Sequence, residues 1–171
     1  MESPPATLYV GWMTKGSDMG TRRSPSAAAA RRAFEVLAER NDEYLFGKCV
    51  DLAVALHDRT GWPLYGLVAY DKPIRSDLLI HAYVKPERNL IVDVRGPRDY
   101  ESMRMDFIFD PATEEATEQL VSKEILARIG LGRARCPTPR RRTLALAERI
   151  IALSLVLRPD LARREYQRWA R

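Results

Sequence analysis

Three short apolar runs, residues 62–70, 78–84 and 90–95, follow one helical stretch and are separated only by brief polar segments. Runs of that length, rich in Val, Leu, Ile and Tyr and bounded by Pro, Gly, Asn and Asp, read as strands joined by turns. Three strands in succession behind a helix imply an antiparallel sheet packed on that helix, and hence an α+β fold. The helix covers residues 49–60. Cys49, Leu52, Ala53 and Leu56 fall on one stripe of it, Thr60-Gly61 ends it, and Pro63 prevents its continuation.

The flanking chain adds further helices. Ser24-Pro25 makes a helix start, Ser as cap and Pro at the first helical position, and Ala30, Phe34 and Leu37 give a helix running to residue 40 one buried face. Residues 41–48 connect it to the second helix, and Gly47 can bring the backbone sharply into that helix. A short strand is expected within residues 7–13. Past the third strand, where Gly96-Pro97 reads as a stop, residues 98–110 are compatible with a further strand. Asp110-Pro111 predicts the start of a helix over 112–129, with Gly130-Leu131-Gly132 as its stop. Residues 133–142, with two prolines and five arginines, read as a linker, and 143–157 and 160–169 as terminal helices. The apolar middle of the first, residues 150–157, is too short to span a bilayer and must be buried against this domain or a partner. The expected organisation is a catalytic α+β domain over residues 1–132 and a basic helical extension over 133–171 packed on it.

Two cysteines in 171 residues, 87 positions apart, form neither a disulfide framework nor a zinc pattern of closely paired ligands. No metal or cofactor is expected, and a reducing setting fits best. No basic region followed by an apolar core opens the sequence, and no run approaches the roughly 18 apolar residues of a membrane span. A cytoplasmic chain is therefore expected, or one delivered into a target cell without a cleaved signal. The charge is uneven. Residues 1–130 hold 17 Lys/Arg and 20 Asp/Glu, whereas residues 131–171 hold 11 Arg and 3 acids. The basic excess belongs to the tail, which reads first as a solvated helix surface written in arginine and second as a contact for nucleic acid, an anionic membrane face or an acidic protein partner.

Chemistry points to Cys49. At a helix N-terminus, unpaired backbone N–H groups and the positive end of the dipole favour a thiolate, and Lys48 adds a cation next door. His81 and Asp93 each interrupt an otherwise apolar strand, where an unpaired polar group is costly. Hairpin parity decides whether they meet. Pairing sums of 174 put them directly opposite, 176 on a same-face diagonal, and an odd sum on opposite faces. Paired, Asp93 would orient the imidazole and His81 would act as base for Cys49. His57 is excluded as that base, since eight residues along the same helix separate it from Cys49 by roughly 12 Å.

At these residues the chain resembles the papain-like and transglutaminase-like cysteine enzymes, and in particular small papain-fold domains of bacterial effectors and toxins. The resemblance covers residues 46–96. It implies a Cys at the start of a central helix packed on an antiparallel sheet, with Cys49 as nucleophile, His81 as base and Asp93 as orienting residue. It departs from papain-type peptidases in one respect: residues 1–48 contain no Gln to serve as oxyanion donor. Asn41, the upstream amide side chain, or backbone N–H groups would take that place. Lys48, Trp62 and Tyr83 are the candidate substrate contacts.

Two functions follow. One is a cysteine hydrolase, deamidase or acyl transferase acting on an amide or acyl bond of a protein substrate. The other is a non-enzymatic binding protein that uses its arginine-rich tail to recognise nucleic acid or an acidic partner.

Overall fold

The computed structural model describes residues 26–71, 75–107, 116–132 and 138–161. The expected strand at 7–13, the Ser24-Pro25 and Asp110-Pro111 pairs, Cys136 and the chain past residue 161 lie outside the described residues. The fold is α+β, with one five-stranded antiparallel sheet in the order β4-β3-β2-β1-β5. In chain order the elements are α1 (Ala27–Arg40), a 3-10 turn (Asp42–Tyr44), α2 (Cys49–Thr60), β1 (Leu64–Asp71), β2 (Ser76–Glu87), β3 (Leu90–Asp93) and β4 (Gly96–Asp99). There follow α3 (Tyr100–Arg104), a 3-10 turn (Met105–Phe107), β5 (Thr117–Leu120), α4 (Lys123–Leu131) and α5 (Arg141–Leu157).

Local chemistry explains most boundaries. Ser26, not Ser24, caps α1, its hydroxyl accepting from the Ala29 N–H at 3.2 Å. Ala30, Phe34 and Leu37 form the buried face of that helix, as their spacing predicts. Gly47 takes φ 109°, a conformation that side chains strain, and so turns the chain into α2. Helix α2 buries more than its expected stripe, because Val50, Val54 and Ala55 are covered as well as Leu52, Ala53 and Leu56. The sheet lies on one side of it, and α4 and α5 pack around the rest. Elements thus cover α2 on most of its circumference, which makes it the central helix, and its exposed residues, Asp58 and Arg59, lie at its C-terminal end.

Helix α5 buries Leu146, Ala147, Ile150 and Ile151 in the same apolar cluster as α1, α2 and the helical face of the sheet. The apolar segment that the sequence required to be covered is therefore partly spent on this core. The opposite face of the sheet carries a smaller cluster of Leu67, Ala69, Tyr83, Ile91, Met103 and Phe107.

Four expectations change. Residues 100–107, read as compatible with a strand, form α3 and a 3-10 turn, because Asp99 caps a helix there through the Ser102 N–H. Gly96-Pro97 does not stop the sheet but opens β4, which pairs with β3 through Asp93↔Gly96 and Ile91↔Arg98. The helix expected over 112–129 starts only at Lys123, capped by Ser122, and residues 117–120 form β5 on the outer edge of β1. An edge strand reading Thr-Glu-Gln-Leu has no apolar alternation, so only its pairing with β1 reveals it. The β2–β3 turn is two residues, Arg88-Asn89, rather than a longer one.

Candidate active site

Register brings His81 and Asp93 together. Next to the turn, Glu87 faces Leu90, an odd pairing that by itself would send the two side chains to opposite faces. A one-residue irregularity then shifts the pairing to Val84↔Val92, a position sum of 176. That is the same-face diagonal, and His81 Nε2 donates to Asp93 Oδ2 at 3.2 Å. A second irregularity lies beside the histidine itself. Leu67 faces His81 while Val68 faces Leu79, so Ile80 is the extra residue of β2. Bulges break the strict alternation of a strand and re-aim the side chains beside them. Ala82 and Val84 pack on the helical side and Tyr83 on the other. The His81 ring meets Tyr83 and Phe107 at centroid distances of 6.0 and 5.0 Å, yet lies near enough to Cys49 for each group to shift the other's ionisation.

The imidazole is fully buried, and its Nδ1 has no hydrogen-bond partner. Since Asp93 occupies Nε2, Nδ1 is the atom left for the thiol. Burial disfavours the charged form of His81, but the Asp93 hydrogen bond and the neighbouring Cys49 outweigh it and raise the pKa to about 9. Burial likewise opposes ionisation of Cys49. His81 and the backbone N–H groups of Ala82 and Val50 overcome it and hold the thiol below its ordinary value. Each group thus favours the charged form of the other, the thiolate beside the imidazolium. Lys48 is not the cause, because its ammonium pairs with Glu43 at 2.5 Å. No side chain caps the first turn of α2. The Lys48 N–H is taken by the Glu43 carbonyl, so the N–H groups at the helix start are the local donors to a developing oxyanion.

Asp93 is 1 % exposed and fully satisfied. Its Oδ1 accepts from the Arg95 N–H at 2.8 Å, and its Oδ2 accepts from His81 and, at 2.6 Å, from the Arg98 guanidinium. Burial would raise its pKa, but His81 and Arg98 bring it down to about 2. Arg98 also reaches Asp106 at 2.5 Å, and Asp106 holds Arg95 as well. Sequence reading missed Arg98 and Asp106. The one signal available was parity, since Arg98 shares the Asp93 face of the β3–β4 ladder.

The other candidates stand elsewhere. The Asn41 Nδ2 donates to the Leu37 carbonyl at 2.8 Å and its Oδ1 accepts from Arg142, so the amide closes α1 and ties α5 to it. Its donor group is therefore committed away from Cys49. Trp62, expected at a cleft, is 6 % exposed within the main core, and its carbonyl accepts from His57 Nδ1. Tyr83 is wholly buried, and its hydroxyl donates to Glu118 at 2.9 Å. Phe46 is exposed, three residues before Cys49, and meets the Phe107 ring edge-on at 5.7 Å. With Arg95 it borders a groove of about 780 Å³ that runs past Phe34, Leu90 and Pro97.

Among the described residues no cluster of His, Cys, Asp and Glu could hold a metal ion, and no helix is long and apolar enough to cross a membrane. Arg142 at the start of α5 faces Glu43, and Arg59 pairs with Glu148. No protein-family model matches the chain, and neither a curated protein nor a solved structure matches it.

Proposed function

We propose that this protein is a cysteine-dependent acyl-transfer enzyme, a hydrolase or deamidase, with Cys49 as nucleophile, His81 as acid and base, and Asp93 as the residue that orients His81. The reading is supported by the resemblance of residues 46–96 to the papain-like enzymes and by the placement of a thiol at the start of α2, with His and Asp on the adjacent antiparallel strands β2 and β3. One observation carries the reading. His81 is buried with one ring nitrogen held by Asp93 and the other unpartnered beside a thiol of lowered pKa.

The chemistry follows from those positions. The Cys49 thiolate attacks the acyl carbon of an amide, forming a C–S bond, and the oxyanion meets the N–H groups at the start of α2. Collapse breaks the C–N bond, and the imidazolium gives its proton to the departing nitrogen, which leaves as an amine or as ammonia. Neutral His81 then takes a proton from water as the water attacks the thioester. Collapse breaks the C–S bond and releases the carboxylic acid, which loses its proton to solvent, and thiolate and imidazolium are restored.

p-Nitrophenyl acetate tests this reading. A burst of nitrophenolate close to one equivalent is expected, with acetylated Cys49 found by mass spectrometry, and no burst in Cys49→Ala or His81→Gln. Iodoacetamide near pH 6.5 should label Cys49 at least about tenfold faster than Cys136. Equal labelling of the two cysteines, or a burst that survives in Cys49→Ala, would overturn the proposal.

A further inference from the structure

We propose that Arg98 is a positioning residue of this site, holding Asp93 against His81 and taking up part of the carboxylate's charge. The inference rests on the catalytic reading of Cys49, His81 and Asp93.

Arg98 lies on β4 opposite Ile91, so it reaches Asp93 diagonally across the position where Gly96 presents no side chain. Its guanidinium forks: one nitrogen donates to Asp93 Oδ2 at 2.6 Å and the other to Asp106 Oδ2 at 2.5 Å. The same Asp93 oxygen accepts from His81 at the longer distance of 3.2 Å. Two donors therefore compete for one oxygen, and the guanidinium is the closer. Meanwhile the Arg95 N–H holds Oδ1, so the carboxylate cannot rotate without breaking a bond at either end.

Among the described residues, the charged groups linked to His81 through Cys49 and Asp93 fall into one alternating row. Cys49 stands on α2, His81 on β2, Asp93 on β3, Arg98 on β4 and Asp106 on the 3-10 turn after α3, with Arg95 bonded to Asp106 at the row's outer end. On the same face, Glu118 of β5 lies across Leu67 from His81 and is engaged by Tyr83 and Lys85 of β2. Alternation gives each substitution a sign. Removing the Arg98 charge leaves the full charge of Asp93 acting on the imidazolium, which then holds its proton more tightly. Neutralising Asp106 lets Arg98 draw more strongly on Asp93, and the imidazolium releases its proton more readily. The proposed reaction needs both directions of transfer. Arg98 tempers Asp93 so that His81 can return to its neutral form and serve the water step.

The chain has only two histidines, so ring NMR of the full-length protein reads the His81 titration directly, with His57 as internal control. In Arg98→Met the His81 midpoint should rise by about one pH unit, a tenfold change in its ionisation constant. In Asp106→Asn it should fall, and in Arg98→Lys it should stay within a few tenths of a unit of the wild type. Opposite shifts in the first two variants are what a merely structural role would not produce. Shifts of one sign, or none, overturn the proposal. Should Arg98→Met fail to fold, the sign in Asp106→Asn, whose side chain keeps its size, decides alone. Absence of a p-nitrophenyl acetate burst from the wild-type protein would instead remove the catalytic reading itself, so the two failures are distinguishable.

Discussion

Asp93→Asn keeps the shape of the side chain and removes its charge, and its cost should depend on pH in a way the site dictates. His81 is raised from 6.5 to about 9, which at about 1.4 kcal/mol per unit favours the imidazolium by roughly 3 kcal/mol, against the burial that opposes it. Because its folded pKa lies above its unfolded value, this stability is fully present below pH 6.5 and disappears as pH rises through about 9. Asp93 has the opposite sign. Its folded pKa of about 2 lies below 3.8, so its contribution is present above 3.8 and is lost as pH falls towards 2. Both act together between about pH 4 and 6.5. The Asn variant should therefore lose about 3 kcal/mol near pH 5.5, in the range found for breaking a buried pair. Near pH 10, where the imidazole is neutral in either protein, the loss should shrink by about 2 kcal/mol, leaving chiefly the weakened bond to Arg98. Urea unfolding followed by circular dichroism at the two pH values measures the difference. Ring NMR should show the His81 midpoint falling by a unit or more. An equal loss at both pH values, or an unmoved midpoint, would refute the account of the pair.

Two further substitutions probe the frame that holds the site. Gly96→Ala should lower stability by about 2 kcal/mol in thermal unfolding, because φ there is 87° and a methyl group would lie 2.7 Å from the Phe34 ring. Ser26→Ala removes the α1 cap and should cost about 1 kcal/mol by urea unfolding, while the p-nitrophenyl acetate burst of the folded protein remains.

Much of the site's layout was readable along the chain because it rests on local rules. A cysteine directly after Gly47-Lys48 starts a helix, alternation assigns His81 and Asp93 to faces of their strands, and hairpin parity confines their meeting to even sums. What those rules could not supply was the value of the sum. The two-residue turn yields an odd pairing, and the irregularity between Val84 and Glu87 restores an even one. Pro86, which cannot donate to the ladder, marks the place of the bulge, but the register it leaves depends on how the whole strand seats against its neighbours. Lys48 shows the opposite failure. Its position beside the thiol was legible, but Glu43 claims its ammonium once the connecting turn folds back.

By itself the sequence determined the helix that presents Cys49, three of the strands, the α+β class and the single histidine able to reach the thiol. Each of these follows from spacing within one element, where neighbours in the chain are neighbours in space. Tertiary structure alone decided that β4 continues the sheet past Gly96, that β5 lines its other edge, and that α5 closes the core over α2. It also decided that Asp93 is shared between His81 and Arg98. The physical reason is common to all four: a hydrogen bond or an apolar contact between distant segments depends on which surfaces meet, and that is set when the sheet, the central helix and the terminal helix pack together.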